Sequence, residues 1–475
     1  MTFRLALAAC LFAATPVLAQ PAPRAPAPRP APARPADHSV ADEMTAFETD
    51  LNAMFVAGGL TADRAAARAG KVSPTVQRRL AEVEAAIANV QAAELARVPQ
   101  VAGRASYTRL SHLDRLVLGP MFPPLAFPEN SYLVEGQLGI PLSDYLVRFP
   151  KLIGAAKLGA DATRTTARSS VVNAGQEARL AYYEWLRARL QVLVAERQVV
   201  QVQAVLGQVR ALAEAQRVSR ADLMRVESNE AQAEQAANQL RNLATLREEQ
   251  LRLLIGAGPD EELALGEDPR GEINTPAPSP LDELLKIATT NRLEFQALEL
   301  GIEAKQKQRE SEVANKVPRL SAFAVADYAN PNQRVFPQRE EFKFTWQAGV
   351  QLTWTLNDAL LARATQRRLT AETNELRADR ENLLRGTRIE VLAAQQAVQL
   401  AQLSLATTEK GLAAAEESYR VRRELLNADR ATAVELVDAE TDLTRARIAA
   451  LDARVDLRVA LAQLAHALGN DVEKR

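Results

Sequence analysis

The chain of 475 residues holds one cysteine and three histidines, the side chains best suited to thiolate, imidazole or metal chemistry, and their positions argue against all three. Cys10 lies inside an apolar run from Leu5 to Leu18, while His38, His112 and His466 are far apart in sequence. Removal of that run as a leader leaves no thiol and no disulfide in the mature chain. The carboxylates are scattered along Ala- and Leu-rich stretches, where such residues form solvated helix faces rather than acid/base pairs. No nucleophile motif, glycine-rich phosphate loop or metal-ligand spacing is present. An enzyme, a metal site and a cofactor are therefore not expected. A net charge of −1 and the lack of any sustained Lys/Arg block argue against nucleic acid or an anionic membrane surface as the main partner.

The chemistry that stands out is partition between water and lipid. Phe342, Phe344, Trp346, Ala348, Val350, Leu352, Trp354 and Leu356 form an every-other-residue apolar row, interleaved with Lys343, Thr345, Gln347, Gly349, Gln351, Thr353 and Thr355. This pattern predicts a two-faced strand with aromatic ends. From Phe342 to Trp354 the rise is roughly 40 Å, and a tilt near 45° reduces it to about 28 Å, close to the apolar band of an outer membrane. A strand of a soluble sandwich has the same alternation, and the row alone does not separate the two.

The elements that position this strand repeat. Arg4 followed by the apolar run, with Val17-Leu18-Ala19 before a cut ahead of Gln20, reads as a secretory signal over residues 1–19. Leu7-Ala8-Ala9-Cys10 also resembles a lipoprotein processing box, but leaves an apolar core of only about five residues, shorter than the usual 7 to 15. Residues 20–37 are almost wholly Pro, Ala and Arg and form an extended tether. No later stretch has the roughly 20 apolar residues of a membrane-spanning helix, so any crossing must be made by strands. Trp185, Ala188, Val192, Ala195, Val199, Val202 and Leu206 alternate spacings of three and four, the seam of a coiled coil. Shifted by 213 positions they fall on Val398, Ala401, Leu405, Thr408, Leu412, Ala415 and Tyr419, the same seam in the same register.

Strand pairs opened by Val98-Pro99 and Val317-Pro318 precede the two seams. Ser143-Asp144 and Asn357-Asp358 are expected to cap the long helices, and Ser219 and Thr432 to begin the returning ones. The expected organisation is a first repeat over 38–256, with a helix, a β-hairpin near 98–142 and a helical hairpin over 144–255. A linker over 257–287 follows, then a second repeat over 288–469, with a helix, a β-hairpin near 317–356 and a helical hairpin over 358–468. The fold class is mainly α with a small β part, built on duplicated long helical hairpins with four transmembrane strands per chain. Four strands cannot close a barrel in lipid, so oligomerisation is implied; two chains give eight strands and three give twelve.

The signal, the duplicated unit, the Pro-initiated strands (Val98-Pro99 and Val317-Pro318-Arg319-Leu320-Ser321) and the tips Arg217-Val218-Ser219-Arg220-Ala221-Asp222-Leu223 and Arg430-Ala431-Thr432-Ala433-Val434-Glu435-Leu436 resemble the outer-membrane efflux proteins, the TolC family. The resemblance covers about Pro74 to Gly469. It implies a homotrimer in the outer membrane with a twelve-stranded barrel and a long periplasmic α-barrel. It further implies passive conduction for a tripartite efflux or type I secretion system, with a periplasmic adaptor and an inner-membrane transporter as partners. The family's constriction carboxylates fall on Asp222, Glu435 and Asp438. A ring of them would favour cations and raise one another's pKa; equally, Asp222 and Glu435 suit the positive ends of the returning helices. The tip residues Gln216, Arg217, Ser219, Arg220, Asp429, Arg430 and Thr432 fall where an adaptor would touch. Gln216 and Asp429 replace the family's tip glycine, and Ala431 its locking arginine, with Arg430 beside it. The apolar loop Leu113 to Glu129 is expected to fold over the barrel mouth. The alternative is a periplasmic coiled-coil adaptor or scaffold without a pore; an adaptor would show one helical hairpin flanked by Gly-rich β modules.

Overall fold

The computed structural model describes residues 40–114, 119, 127–273, 279–336, 338–428 and 430–471. The signal and tether, much of the loop between Leu113 and Glu129, part of the linker and Asp429 lie outside the described residues. In chain order the elements are α1 (Val40–Ala53), β1 (Phe55–Leu60), α2 (Ala62–Val72), α3 (Pro74–Leu95), β2 (Gln100–Arg109), β3 (Asn130–Ile140), α4 (Leu142–Leu146), α5 (Arg148–Glu214) and α6 (Arg220–Ile255). Then follow α7 (Leu281–Asn291), α8 (Leu293–Ser311), a 3₁₀ turn (Glu312–Lys316), β4 (Arg319–Asn330), β5 (Lys343–Thr353), α9 (Leu356–Asn427) and α10 (Ala433–Ala467). Of two compact units, Met1–Ala46 contributes the start of α1, and Phe47–Arg475 holds every other element. Among the described residues no helix is long and apolar enough to cross a membrane.

Helix dominates because Ala, Leu, Glu, Gln and Arg supply most positions of α5 and α9 and carry high helix propensity. With 67 and 72 residues, these helices run roughly 100 Å each at 1.5 Å per residue. Each pairs with its returning helix, α5 with α6 and α9 with α10. The seam faces inward: Trp185, Ala188, Val202, Leu206 and Val209 of α5 are buried, as are Val398, Ala401 and Tyr419 of α9. One core gathers Tyr182, Trp185, Leu186 and Leu190 of α5 with Leu51, Leu251, Ile255, Leu265 and Val455. A second joins Leu284 and Ala288 of α7 to Val391 and Val398 of α9 and to Leu457 and Leu464 of α10.

The helix starts differ from the capping residues expected. Pro141, Val147 and Thr355 occupy the N-cap positions of α4, α5 and α9, none with a side-chain cap. The Ser143 hydroxyl instead accepts from the Leu320 amide at 3.2 Å, tying α4 to β4, while Asp144 is buried with Arg148 at 3.6 Å. The chain breaks at Val147 because Pro150 has no N–H to donate back to Leu146 and is tolerated only in a first turn. Likewise the helical stretch that starts at Leu281 is divided into α7 and α8 at Arg292, whose backbone is extended where Gly469 presses against it.

β1 is an addition that strand alternation did not reveal. It makes parallel bridges to Leu265, with the Leu60 amide donating to Ala264 O and the Gly266 amide to Leu60 O, each at 2.8 Å. A Cβ on Gly266 would lie 2.4 Å from Gly59 O, so the backbones meet only because both residues lack side chains.

Candidate functional site

The sheet has the antiparallel order β2-β3-β4-β5, and among the described residues no further strand pairs with β2 or β5. Its register aligns the apolar residues of all four strands. Val101, Ala105 and Tyr107 pair with Leu138, Val134 and Tyr132; Leu138 and Val134 pair in turn with Ala324 and Tyr328. Leu320, Ala322, Ala326 and Tyr328 then pair with Leu352, Val350, Trp346 and Phe344. The result is an apolar face whose one charged strand residue, Arg109, stands at the end of β2 beyond Tyr107, and the aromatic row of β5 stays exposed on it, with Trp346 at 69%. The opposite face carries Arg104, Glu135, Gln137, Asp327, Gln347 and Gln351.

Both ends of the apolar face are aromatic. Tyr107 lies 5.1 Å from Tyr132, Tyr132 lies 6.0 Å from Phe342, and Tyr328 stacks on Phe342 at 5.1 Å. At the other end the Trp354 indole donates to Lys316 O at 3.3 Å. Amphipathic rings belong at the two rims of an outer-membrane band, where one edge is apolar and the other wet. The tyrosine rim was not singled out in the sequence, because its three members come from three strands and only the register brings them together.

At the far ends of the helices the tips are built by local capping. Gln216 adopts a left-handed conformation at φ 60, and the Gln216 and Arg217 amides return to Ala213 O and Leu212 O, each at 2.9 Å. This is the Schellman closure with glutamine in the position that favours glycine. The Arg430 amide returns to Leu425 O at 2.8 Å in the second tip. Ser219 caps α6, its oxygen accepting from the Asp222 amide at 3.1 Å and lying 2.7 Å from the Asp222 carboxylate. Thr432 caps α10 in a full capping box: the Glu435 amide donates to its hydroxyl at 3.3 Å, and the Thr432 amide donates to the Glu435 carboxylate at 3.1 Å. Arg217 and Arg220 are exposed beside the first tip, and Arg430 beside the second.

The three expected constriction carboxylates thus occupy one end of the helices with different partners. Asp222 and Glu435 are engaged at helix N-termini, Glu435 also lying 3.6 Å from Arg422 of α9. Asp438 reaches from α10 to Arg225 of α6 at 3.4 Å and so links the two hairpins of one chain. Arg225 was missed in the sequence, although its signal was there: it precedes Asp438 by the repeat offset of 213, so equivalent positions carry opposite charges.

A polar clamp joins the two halves further along the helices. Arg458 of α10 holds Glu267 at 2.7 Å and donates to the backbone oxygens of Asp268 and Gly271 at 3.1 and 3.3 Å. Tyr183 donates to the same Glu267 carboxylate at 3.2 Å, and burial together with that charge raises the phenol pKa. Among the described residues no cluster of His, Cys, Asp and Glu could hold a metal ion.

A one-sided apolar sheet carried on paired helices of this length defines a membrane-inserted channel protein with a large helical part outside the bilayer. The profile of the outer membrane efflux protein family matches residues 66–257 and 284–470, and the chain belongs to that family. Its members are outer-membrane channels, which places this chain in the outer membrane with its helices in the periplasm. Solved structures share the fold at low identity. CusC, described as forming a transmembrane channel, is 17% identical with a TM-score of 0.72, over 88% of this chain and 93% of that one. The CmeC outer membrane channel of Campylobacter jejuni is 11% identical, TM-score 0.70, over 90% and 89%. The open MtrE outer membrane channel of Neisseria gonorrhoeae is 17% identical, TM-score 0.71, over 86% and 89%. No curated protein sequence matches the chain.

Proposed function

We propose that three copies of this chain close a twelve-stranded barrel and serve as the passive exit duct of a tripartite efflux or type I secretion system. The observation that carries this reading is the four-stranded sheet with one face apolar between its aromatic rims and with both edges unpaired among the described residues. Edges in lipid must be paired, and neighbouring copies supply the partners. The helical hairpins continue the duct into the periplasm, and their tips meet a periplasmic adaptor fed by an inner-membrane transporter. Gln216, Arg217, Ser219, Arg220, Asp429, Arg430 and Thr432 lie at that contact. Asp222, Glu435 and Asp438 form the constriction, with the Arg225–Asp438 pair holding the two hairpins of each copy together.

Single-channel conductance in planar bilayers tests this, comparing the wild type with Glu435→Ala/Asp438→Ala. A cation-selective pore whose conductance rises and whose divalent-ion block weakens in the variant is expected. Pores that are identical in the two proteins refute the carboxylate gate. A folded protein that forms no pore and extracts as a soluble oligomer refutes the duct in favour of a periplasmic scaffold.

A further inference from the structure

Where the sheet meets the helices, an open groove of about 600 Å³ lies between the end of α8 with its 3₁₀ turn and the first turns of α9. Four cations line it: Arg309, Lys316, Arg363 and Arg367. Its one carboxylate, Glu310, is already answered by Lys151 at 2.5 Å. Arg309, Arg363 and Arg367 have no ion pair among the described residues, and the Lys316 ammonium donates only to the neutral amide of Gln366. A cluster of cations without counter-charges calls for an anion.

The groove continues the lipid-facing surface. Leu356, Leu360, Arg363 and Arg367 follow spacings of four, three and four and therefore share one stripe of α9. The stripe begins apolar, with Leu356 and Leu360 exposed, and turns basic after one further helical turn. It hangs directly from the apolar row of β5, and the Trp354 indole, at the rim of that row, donates to the backbone of groove-lining Lys316. Arg363 lies roughly 10 Å along the helix from Leu356. Side chains of a helix lean toward its N-terminus, which in α9 is the membrane end, so both arginines lean back toward the bilayer.

We infer that this groove binds the phosphate headgroup of an anionic phospholipid of the periplasmic leaflet, whose acyl chains lie along Leu356, Leu360 and Trp354. The inference rests on the sheet being embedded in the outer membrane. Its order of chemistry, apolar row, indole rim and then unpaired guanidinium groups, matches the order acyl chain, interface and phosphate. Such a seat would fix the depth and rotation of each copy in the bilayer without adding a strand or a helix.

The test uses the full-length protein in nanodiscs containing phosphatidylglycerol and phosphatidylethanolamine, with retained lipid identified by native mass spectrometry. Arg363→Gln/Arg367→Gln is compared with Arg368→Gln, an adjacent arginine already paired with Glu372. The wild type and the Arg368→Gln control should retain phosphatidylglycerol preferentially, and the double variant should lose that preference by roughly 30-fold. Equal phosphatidylglycerol retention in all three overturns the inference. So does a double variant with unchanged lipid but altered anion permeability in planar bilayers, which would place the groove on the conducting side. A wild type that fails to enter the bilayer refutes the membrane reading itself, and the inference with it; insertion is scored separately by flotation.

Discussion

Two neighbouring residues of β5 offer the sharpest test of which side of the sheet meets lipid. Ala348 lies midway between Phe342 and Trp354 on the apolar face, directly opposite Ala324, with no charged strand residue on that face between the two aromatic rims. Gln347 is the next residue, points to the other face, and lies beside Val325 on the strand that also carries Asp327. An arginine placed at the middle of a lipid-facing band costs about 2–4 kcal/mol, or roughly 30- to 700-fold in the insertion equilibrium of each copy. An arginine on a polar, water-filled side costs within about 0.5 kcal/mol. Ala348→Arg should therefore shift the urea midpoint for insertion into liposomes strongly, while Gln347→Arg leaves it near wild type. The assay dilutes urea-unfolded protein into liposomes and scores the floated, protease-protected fraction across a urea series. Equal effects of the two substitutions, or a larger one from Gln347→Arg, would refute the assignment of faces.

Further outcomes follow from the helical part. Gln216→Gly should stabilise the first tip by roughly 0.5–1 kcal/mol, since glycine relieves the left-handed penalty but adds freedom to the unfolded chain; slower amide exchange at Arg217 checks this. Arg458→Ala strips the guanidinium from Glu267 and from the carbonyls of residues 268 and 271, at a cost of about 1.5–3 kcal/mol. Limited proteolysis should then cut within 265–272, and an unchanged digest would count against the clamp. Burial pushes the Asp452 carboxyl above its ordinary range, against the pull of Arg187 and of the Gln191 amide at 3.0 Å, with Asp456 and Glu184 adding to the rise. The folded form thus holds this proton more tightly than the unfolded chain. Its contribution is full below the unfolded aspartate pKa and is lost as pH rises through the raised folded value. Asp452→Asn should raise Tm at neutral pH and bring no gain in acid, whereas a pH-independent loss would refute the argument.

The strands and long helices were legible in the sequence where one period dominates. β5 follows an unbroken two-residue alternation, and the coiled-coil seam from Trp185 recurs at Val398. What escaped was whatever depends on contact between distant segments. The short α2 is Ala-rich with only Thr61 to mark its start, and β1 contains two glycines and bridges a single residue of the linker. Ser143 failed as a cap because its neighbourhood is tertiary, the hydroxyl serving a strand and Asp144 a buried ion pair, while α9 simply starts at Leu356, with Thr355 rather than Asn357 at its N-cap. At the tips, Ser219 and Thr432 were identifiable as helix starts because capping is a local chemistry three residues long. The partner of Asp438 required pairing two helices that are far apart along the chain.

That pairing bears on what a chain with two unlike halves permits. Arg225 and Asp438 occupy matching positions of the two repeats, 213 residues apart, and they face each other. A molecule assembled from identical single units would set arginine against arginine, or aspartate against aspartate, where these helices meet. A single chain with two unlike halves lets the two positions differ in sign, so that the contact is attractive. Replacing either half by a second copy of the other would bring like charges together at this solvent-exposed contact.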